Sequence, residues 1–228
     1  MIIMTVIIAA LYDYGKGAVL IGDKLRTGTH PLDKKEVLIE RDDITKIYKL
    51  NNNVTVATSG IMEFWAEILK EIHEAVGEKD NFLKVRKIIE RVYHRHFIRY
   101  QWSKVPGFFG FADMEDFLKR GAQIMTPLQL DKLNDLLIKT VAPGEMVLVG
   151  KGKEIYEIYT LSDPGIFKYS SSGLALTGSG TPYASRYVNE NHEQGLSKDE
   201  VVRVLSEGKR LAEEDIHVGA MTDLKILD

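Results

Sequence analysis

The chain has 228 residues with 44% hydrophobic and 28% charged side chains, and its formal net charge of -3 gives no indication of nucleic-acid binding. It contains no cysteine, which excludes disulfides, zinc–thiolate sites and cysteine nucleophiles. No apolar run reaches about 18 residues and no signal-peptide pattern opens the chain. We therefore expect one cytoplasmic domain over residues 1–228, without a membrane-spanning helix, a cofactor or a metal.

The N-terminal quarter of the chain has the pattern of strands. Short runs that are rich in β-branched or alternating apolar residues and bounded by turn residues predict strands at residues 5–12, 18–23, 34–40, 44–50 and 54–57. The turn Gly15–Lys16–Gly17 joins the first two runs and predicts a hairpin.

The middle of the chain contains two amphipathic helices and then a different kind of segment. Apolar residues at helical spacing predict helices over residues 62–76 and 80–100. Residues 101–143 begin with the aromatics Phe108, Phe109 and Phe111 and continue with two short helical patterns. Two interpretations stay open for this insertion: a lid or partner surface, or a small satellite core of its own.

The C-terminal part returns to strands and ends with two helices and a further strand region. We predict strands at residues 146–150, 154–161, 166–169 and 174–177, helices at 183–190 and 197–214, and one or two strands within 217–227. This order favours an α+β fold in which two sheets pack together and each carries helices on its outer face. The expected architecture is a four-layer αββα sandwich with a mainly helical insertion at about residues 101–143.

One polar residue at the start of the first predicted strand, Thr5, is a candidate reactive residue. Thr5 follows Met4, and a chain that begins at Met4 would lose that methionine because threonine is small. A threonine with a free α-amino group is a nucleophile that carries its own base. The alternative is that Thr5 is only a β-forming residue in a buried strand.

Six short segments, taken in order, contain the candidate site residues. They are residues 5–12 with Thr5, 17–23 with Asp23, 46–50 with Lys46, Gly60 fourteen residues after Lys46, 178–182 with Ser179, and 215–219 with Asp215. Gly178–Ser179–Gly180 alone could suggest a phosphate cradle, but it lacks the spacing of the known phosphate-binding loops. Together and in this order, the six segments resemble the β-type subunits of proteasomes and their relatives among the N-terminal-nucleophile (Ntn) hydrolases.

The resemblance implies a threonine-type peptidase that cleaves peptides or unfolded proteins and works as a homo-oligomer. Thr5 would be the nucleophile, Lys46 would supply a positive field, and Asp23 would hold Lys46. The Gly60 N–H would face the oxyanion. Ser179 and Asp215 would orient the amine and any bridging water.

Some positions depart from the family pattern and leave alternatives open. Met4 stands where proteasome precursors usually have glycine, Val218 stands where a serine is common, and the insertion is extra. Archaeal connectases share the fold, expose a threonine after methionine removal and ligate peptides, so a peptide transferase is one alternative. A non-catalytic assembly subunit is the other. A chain that begins at Met1 would favour it, because the bulky Ile2 opposes methionine removal.

Overall fold

A computed structural model describes residues 5–29, 36–40, 44–162 and 165–228. Within these ranges the strands are β1 (Ile7–Tyr12), β2 (Gly17–Asp23), β3 (Leu25–Thr29), β4 (Glu36–Glu40), β5 (Ile47–Lys49), β6 (Val54–Gly60), β7 (Gly144–Lys151), β8 (Tyr156–Ser162), β9 (Ile166–Tyr169), β10 (Leu174–Thr177) and β11 (Thr222–Leu227). The helices are α1 (Met62–Ala75), α2 (Phe82–Trp102), α3 (Val105–Phe109), α4 (Met114–Ile124), α5 (Pro127–Lys139), α6 (Thr181–Asn191) and α7 (Lys198–Ala212).

The strands form two main antiparallel sheets and one two-stranded ribbon. The first sheet has the order β10-β1-β2-β11, the second has the order β5-β6-β7-β8-β9, and β3 pairs with β4. Every residue of β1 and β2 is buried, which explains why both strands are continuous apolar runs without polar alternation. Helices and antiparallel sheets together agree with the predicted α+β class.

Three apolar clusters hold the sheets and helices together. One joins the two sheets and includes Ile7, Leu20, Val147 and Ile158. The alternate residues of the first sheet pack against α6 and α7, and those of the second sheet pack against α1 and α2. Each main sheet therefore contributes apolar side chains to two clusters, as a period of two requires.

The insertion has a small core of its own. Val105, Phe111, Phe117, Met125 and Leu133 are buried together, and Trp102 and Phe109 pack against them. This arrangement favours the satellite core over the lid, because Phe111 is 6% exposed and faces the cluster. The side chain of Phe108 lies outside the described residues.

The structure differs from the predicted elements in a few places. Strand β3 lies outside the predicted strands, because its polar sequence carries no alternating apolar pattern. The C-terminal region forms one strand, β11. Residues 34 and 35 of the predicted fourth strand, and Met1, Ile2 and Met4 of the two start hypotheses, lie outside the described residues. Among the described helices, none combines the length and apolar character needed to cross a membrane.

Candidate active site

The fold brings Thr5, Asp23 and Lys46 together at the ends of three strands. Thr5 lies two residues before β1, Asp23 is the last residue of β2, and Lys46 directly precedes β5. Ile7 is opposite Gly22 in the β1–β2 hairpin, so the start of β1 lies beside the end of β2, and the Asp23 N–H donates to Val6 O at 3.3 Å. Since β5 belongs to the second sheet, Lys46 reaches this point from the opposite sheet.

The three side chains form one buried hydrogen-bonded cluster. Lys46 Nζ lies 2.5 Å from Thr5 Oγ1 and 3.0 Å from each carboxylate oxygen of Asp23. Thr5 Oγ1 in turn donates to Asp23 Oδ1. Thr5 and Asp23 are 0% exposed and Lys46 is 6% exposed. The hydroxyl is therefore held between an ammonium and a carboxylate, and low polarity around them strengthens both interactions.

Backbone amides fix the Asp23 carboxylate from several parts of the chain. Val6 N donates to Oδ1 at 2.9 Å, Leu25 N donates to Oδ2 at 2.9 Å, and Gly219 N lies 3.4 Å from Oδ2. A buried carboxylate is tolerated when donors of this kind surround it. Asp23 thus ties the start of β1, the start of β3 and the segment before β11 to one point.

The charge on Lys46 is set by two opposing influences. Burial lowers the pKa of Lys46, and the charge and hydrogen bonds of Asp23 raise it, with a net shift below the ordinary value. A lysine in this state releases a proton more easily than one in water. In the structure, its Nζ donates to the adjacent hydroxyl of Thr5.

A second chain of contacts leads away from the backbone nitrogen of Thr5. Thr5 N donates to Ser179 Oγ at 3.3 Å, and the Ser179 hydroxyl is hydrogen-bonded to Asp215. Burial alone would raise the pKa of Asp215, but hydrogen bonds from Ser179 and from both the N–H and the ring of His217 outweigh it and lower that pKa. The structure thus brings Ser179 and Asp215 to the nitrogen side of Thr5.

Gly60 is the last residue of β6. The Thr58 N–H donates to Lys46 O at 3.0 Å, and Gly60 follows two residues later, roughly 7 Å along the strand. Its φ of +106° and the nearness of Pro143 O leave no space for a side chain at this position. Gly60 thus lies two residues along β6 from Thr58, the backbone partner of Lys46. Gly60 is half-buried, whereas Thr5 is fully buried.

Sequence reasoning missed three residues that support the site. Gly178 has a φ of +100°, and a Cβ there would lie 2.2 Å from Thr5 O, so only glycine fits against the carbonyl of Thr5. His217 binds Asp215 from two residues away, and Gly219 N faces Asp23. All three lie in segments already singled out for Ser179 and Asp215. The turn glycines were therefore visible as a signal, and the role of the histidine was not.

Comparisons with known proteins support the fold and nothing narrower. No protein-family model matches the chain, and no curated protein matches it either. A solved structure described as the Anbu (Gly-1) mutant from Hyphomicrobium sp. strain MC1 is similar over 96% of this chain and 80% of that chain, with a TM-score of 0.63 and 9% identity. At that identity the likeness concerns the fold alone.

Proposed function

We propose that this protein is a threonine-type peptidase of the proteasome β-like group, with Thr5 as its nucleophile once Thr5 is the first residue. The observation that carries the proposal is the contact of 2.5 Å between Lys46 Nζ and Thr5 Oγ1 inside a cluster that also holds Asp23. A threonine whose only purpose is to form a strand has no need of a buried ammonium at its hydroxyl. The three apolar clusters support the four-layer αββα order that belongs to this proposal.

The proposed reaction proceeds in two steps on Thr5. Its Oγ1 forms a bond to the substrate carbonyl carbon while its proton passes to the free Thr5 amine, directly or through water. The C–N bond then breaks, the leaving amine takes that proton, and an ester remains on Oγ1. Water hydrolyses the ester and returns a proton to Oγ1. The free Thr5 amine can accept this proton because an N-terminal amine has a pKa of roughly 8 in peptides, so part of it is neutral at pH 7.

The surrounding residues have distinct roles in this proposal. Lys46 stabilises the alkoxide that develops on Oγ1, and Asp23 holds Lys46 in place. Gly60 supplies its N–H to the oxyanion, a contribution of roughly 3 kcal/mol by analogy with measured oxyanion donors. Ser179 and Asp215 orient the Thr5 amine, since Ser179 Oγ already lies 3.3 Å from that nitrogen in the full chain.

The test compares two forms of the protein that differ only at the N-terminus. One is expressed from Met4 and is expected to lose that methionine, and the other is expressed from Met1 and keeps Thr5 within the chain. Each is treated with a peptide epoxyketone, which needs both the hydroxyl and the free amine of a terminal threonine, and the adduct is measured by mass spectrometry. We expect labelling of the Thr5-terminated form and no adduct with the longer form, because its position-5 nitrogen is an amide, which is neither a base nor a nucleophile.

Thr5→Ala in the shorter form is the control and should give no adduct. The reasoning fails if a Thr5-terminated protein of confirmed mass is not labelled. It also fails if the longer form, with Thr5 still inside the chain, is labelled as fast as the shorter one. In the first case the non-catalytic assembly subunit becomes the better interpretation.

The transferase alternative is decided with a labelled peptide: a product joined to an added acceptor amine indicates transfer, and release of the free acid indicates hydrolysis. Sedimentation of the processed form tests the proposed homo-oligomer.

A further inference from the structure

A second lysine, Lys209 of α7, is buried although the proposed reaction does not use it. It is 2% exposed, and its Nζ lies 2.6 Å from Gly219 O, 2.6 Å from Ala220 O and 2.7 Å from Glu213 Oε1. Burial of an ammonium is unfavourable unless hydrogen bonds and an opposite charge replace its water. Three oxygen acceptors at these distances provide that replacement, so the position of Nζ is closely defined.

The acceptors of Lys209 belong to the segment that follows α7 and contacts the candidate active site. This segment, residues 213–221, contributes Asp215 to Ser179 and through Ser179 to Thr5 N. It also contributes Gly219 N to Asp23 Oδ2 at 3.4 Å. The residue whose carbonyl accepts from Lys209 is the same Gly219 whose amide faces Asp23. A shift of Gly219 would therefore change both its contact with Lys209 and its contact with Asp23.

Packing alone does not account for a lysine at this position. Val201, Val204 and Leu205 of the same helix pack on the first sheet through apolar contacts, and an apolar side chain at position 209 could fill the same space. Such a side chain would leave the oxygens of Gly219 and Ala220 without the ammonium. The feature that distinguishes lysine here is the positive charge that it places against the two carbonyls.

We propose that Lys209 is a positioning residue: its ammonium fixes residues 213–221 so that Asp215 and Gly219 hold the Thr5 amine and the Asp23 carboxylate in their reactive arrangement. This inference rests on the proposed function of Thr5. It assigns to Lys209 no contact with the substrate. Misplacement of catalytic groups by about 1 Å can lower a rate by about 10²-fold, and we expect a loss of that size when the ammonium is removed.

The test uses a chemical replacement of the missing ammonium in the Thr5-terminated full-length domain. Lys209→Ala removes three methylenes and the amino group, which are the atoms of n-propylammonium. We expect epoxyketone labelling of this variant to be about 10²-fold slower than that of the parent and to recover when n-propylammonium is added. n-Propanol has the same length without the charge and should restore nothing.

Two further variants separate positioning from packing. Lys209→Met fills the space without a charge and should label as slowly as Lys209→Ala, which also covers the case in which the alanine variant does not fold. Val204→Ala, a buried position on the same helix, also leaves a cavity, and its labelling should not respond to n-propylammonium. Amide hydrogen exchange at Gly219, read by NMR, should be faster in both Lys209 variants than in the parent and in Val204→Ala.

The outcomes distinguish the inference from the proposed function. If the parent is labelled and Lys209→Met is labelled at the same rate, Lys209 has no positioning role. Recovery by n-propanol as well as by n-propylammonium would mean that volume matters and charge does not, which also overturns the inference. If the parent itself is not labelled, the proposed function fails. Unchanged exchange at Gly219 would then also remove the structural basis for Lys209.

Discussion

Lys46→Met should destabilise the folded protein by about 3 kcal/mol. The substitution replaces the long apolar stem of lysine with one of similar length, so it creates little cavity and mainly removes the ammonium. Asp23 is 0% exposed and would lose a charged partner that lies 3.0 Å from both of its oxygens. Leaving one member of a buried ion pair alone typically costs about 3–5 kcal/mol. The amides of Val6 and Leu25 still donate to the carboxylate, which places the expected loss at the lower end.

Urea unfolding at pH 7 measures this loss, and a drop of about 6–12 °C in Tm should accompany it in a domain of this size. Two controls give the effect its meaning. The double variant Lys46→Met/Asp23→Asn removes the lone charge and should recover part of the lost stability, but not all of it, because the NH2 of asparagine would face a backbone N–H at either oxygen position. Lys139→Met breaks an ion pair with Asp135 in which the side chains are 75% and 68% exposed, and it should change stability by at most about 1 kcal/mol. A Lys46→Met protein as stable as Lys139→Met would refute the view that Asp23 is a buried charge that depends on Lys46.

Two other predictions concern the support of Thr5. Gly178→Ala should destabilise the protein by at least about 1–3 kcal/mol and slow labelling, because φ is +100° and the new Cβ would lie 2.2 Å from Thr5 O; Gly107→Ala, where a Cβ meets nothing within 4 Å, is the matched control for urea unfolding. Asp215→Asn should flatten the fall in stability on acidification. The lowered pKa of Asp215 means that its contribution is present above about pH 4 and is lost as pH falls through the folded-state pKa. Equal slopes between about pH 5 and 2 would contradict this.

The strands and helices that bury apolar residues could be predicted from the sequence, whereas contacts between distant polar groups could not. The run from Ile7 to Tyr12 is buried throughout, and its uninterrupted apolar sequence predicts this burial. The helix start at Ser197 was visible because Glu200 completes a capping box, which the structure contains. Strand β3 was missed because its sequence carries no alternating apolar pattern, and it pairs with β4 outside the two main sheets.

The candidate site shows the same division at the level of single residues. The resemblance of the six segments predicted that Thr5, Asp23, Lys46 and Gly60 lie close together, and the structure brings the first three within hydrogen-bonding distance. Their catalytic roles stay predictions until labelling is measured. Lys209 left a weak signal, since it follows Leu205 by four residues and so falls on the buried face of α7. Only the coordinates show that its acceptors belong to the segment that holds Asp215, because that pairing depends on where the chain turns after the helix.

The arrangement around Thr5 suggests that activation is a change in protonation rather than a rearrangement of the site. In the full chain, Thr5 Oγ1 already contacts Lys46 and Thr5 N already donates to Ser179. Cleavage of the Met4–Thr5 bond would convert that nitrogen from an amide, which cannot accept a proton at neutral pH, into an amine that can. Before cleavage, the Thr5 hydroxyl donates to Asp23 Oδ1 and accepts from Lys46 Nζ, so it already lies between a carboxylate and an ammonium. In the proposed reaction, the amine would accept the hydroxyl proton after cleavage, and Lys46 would be the positive charge beside the developing alkoxide. The proposal thus gives a physical reason for a buried lysine and a terminal amine to converge on the same atom.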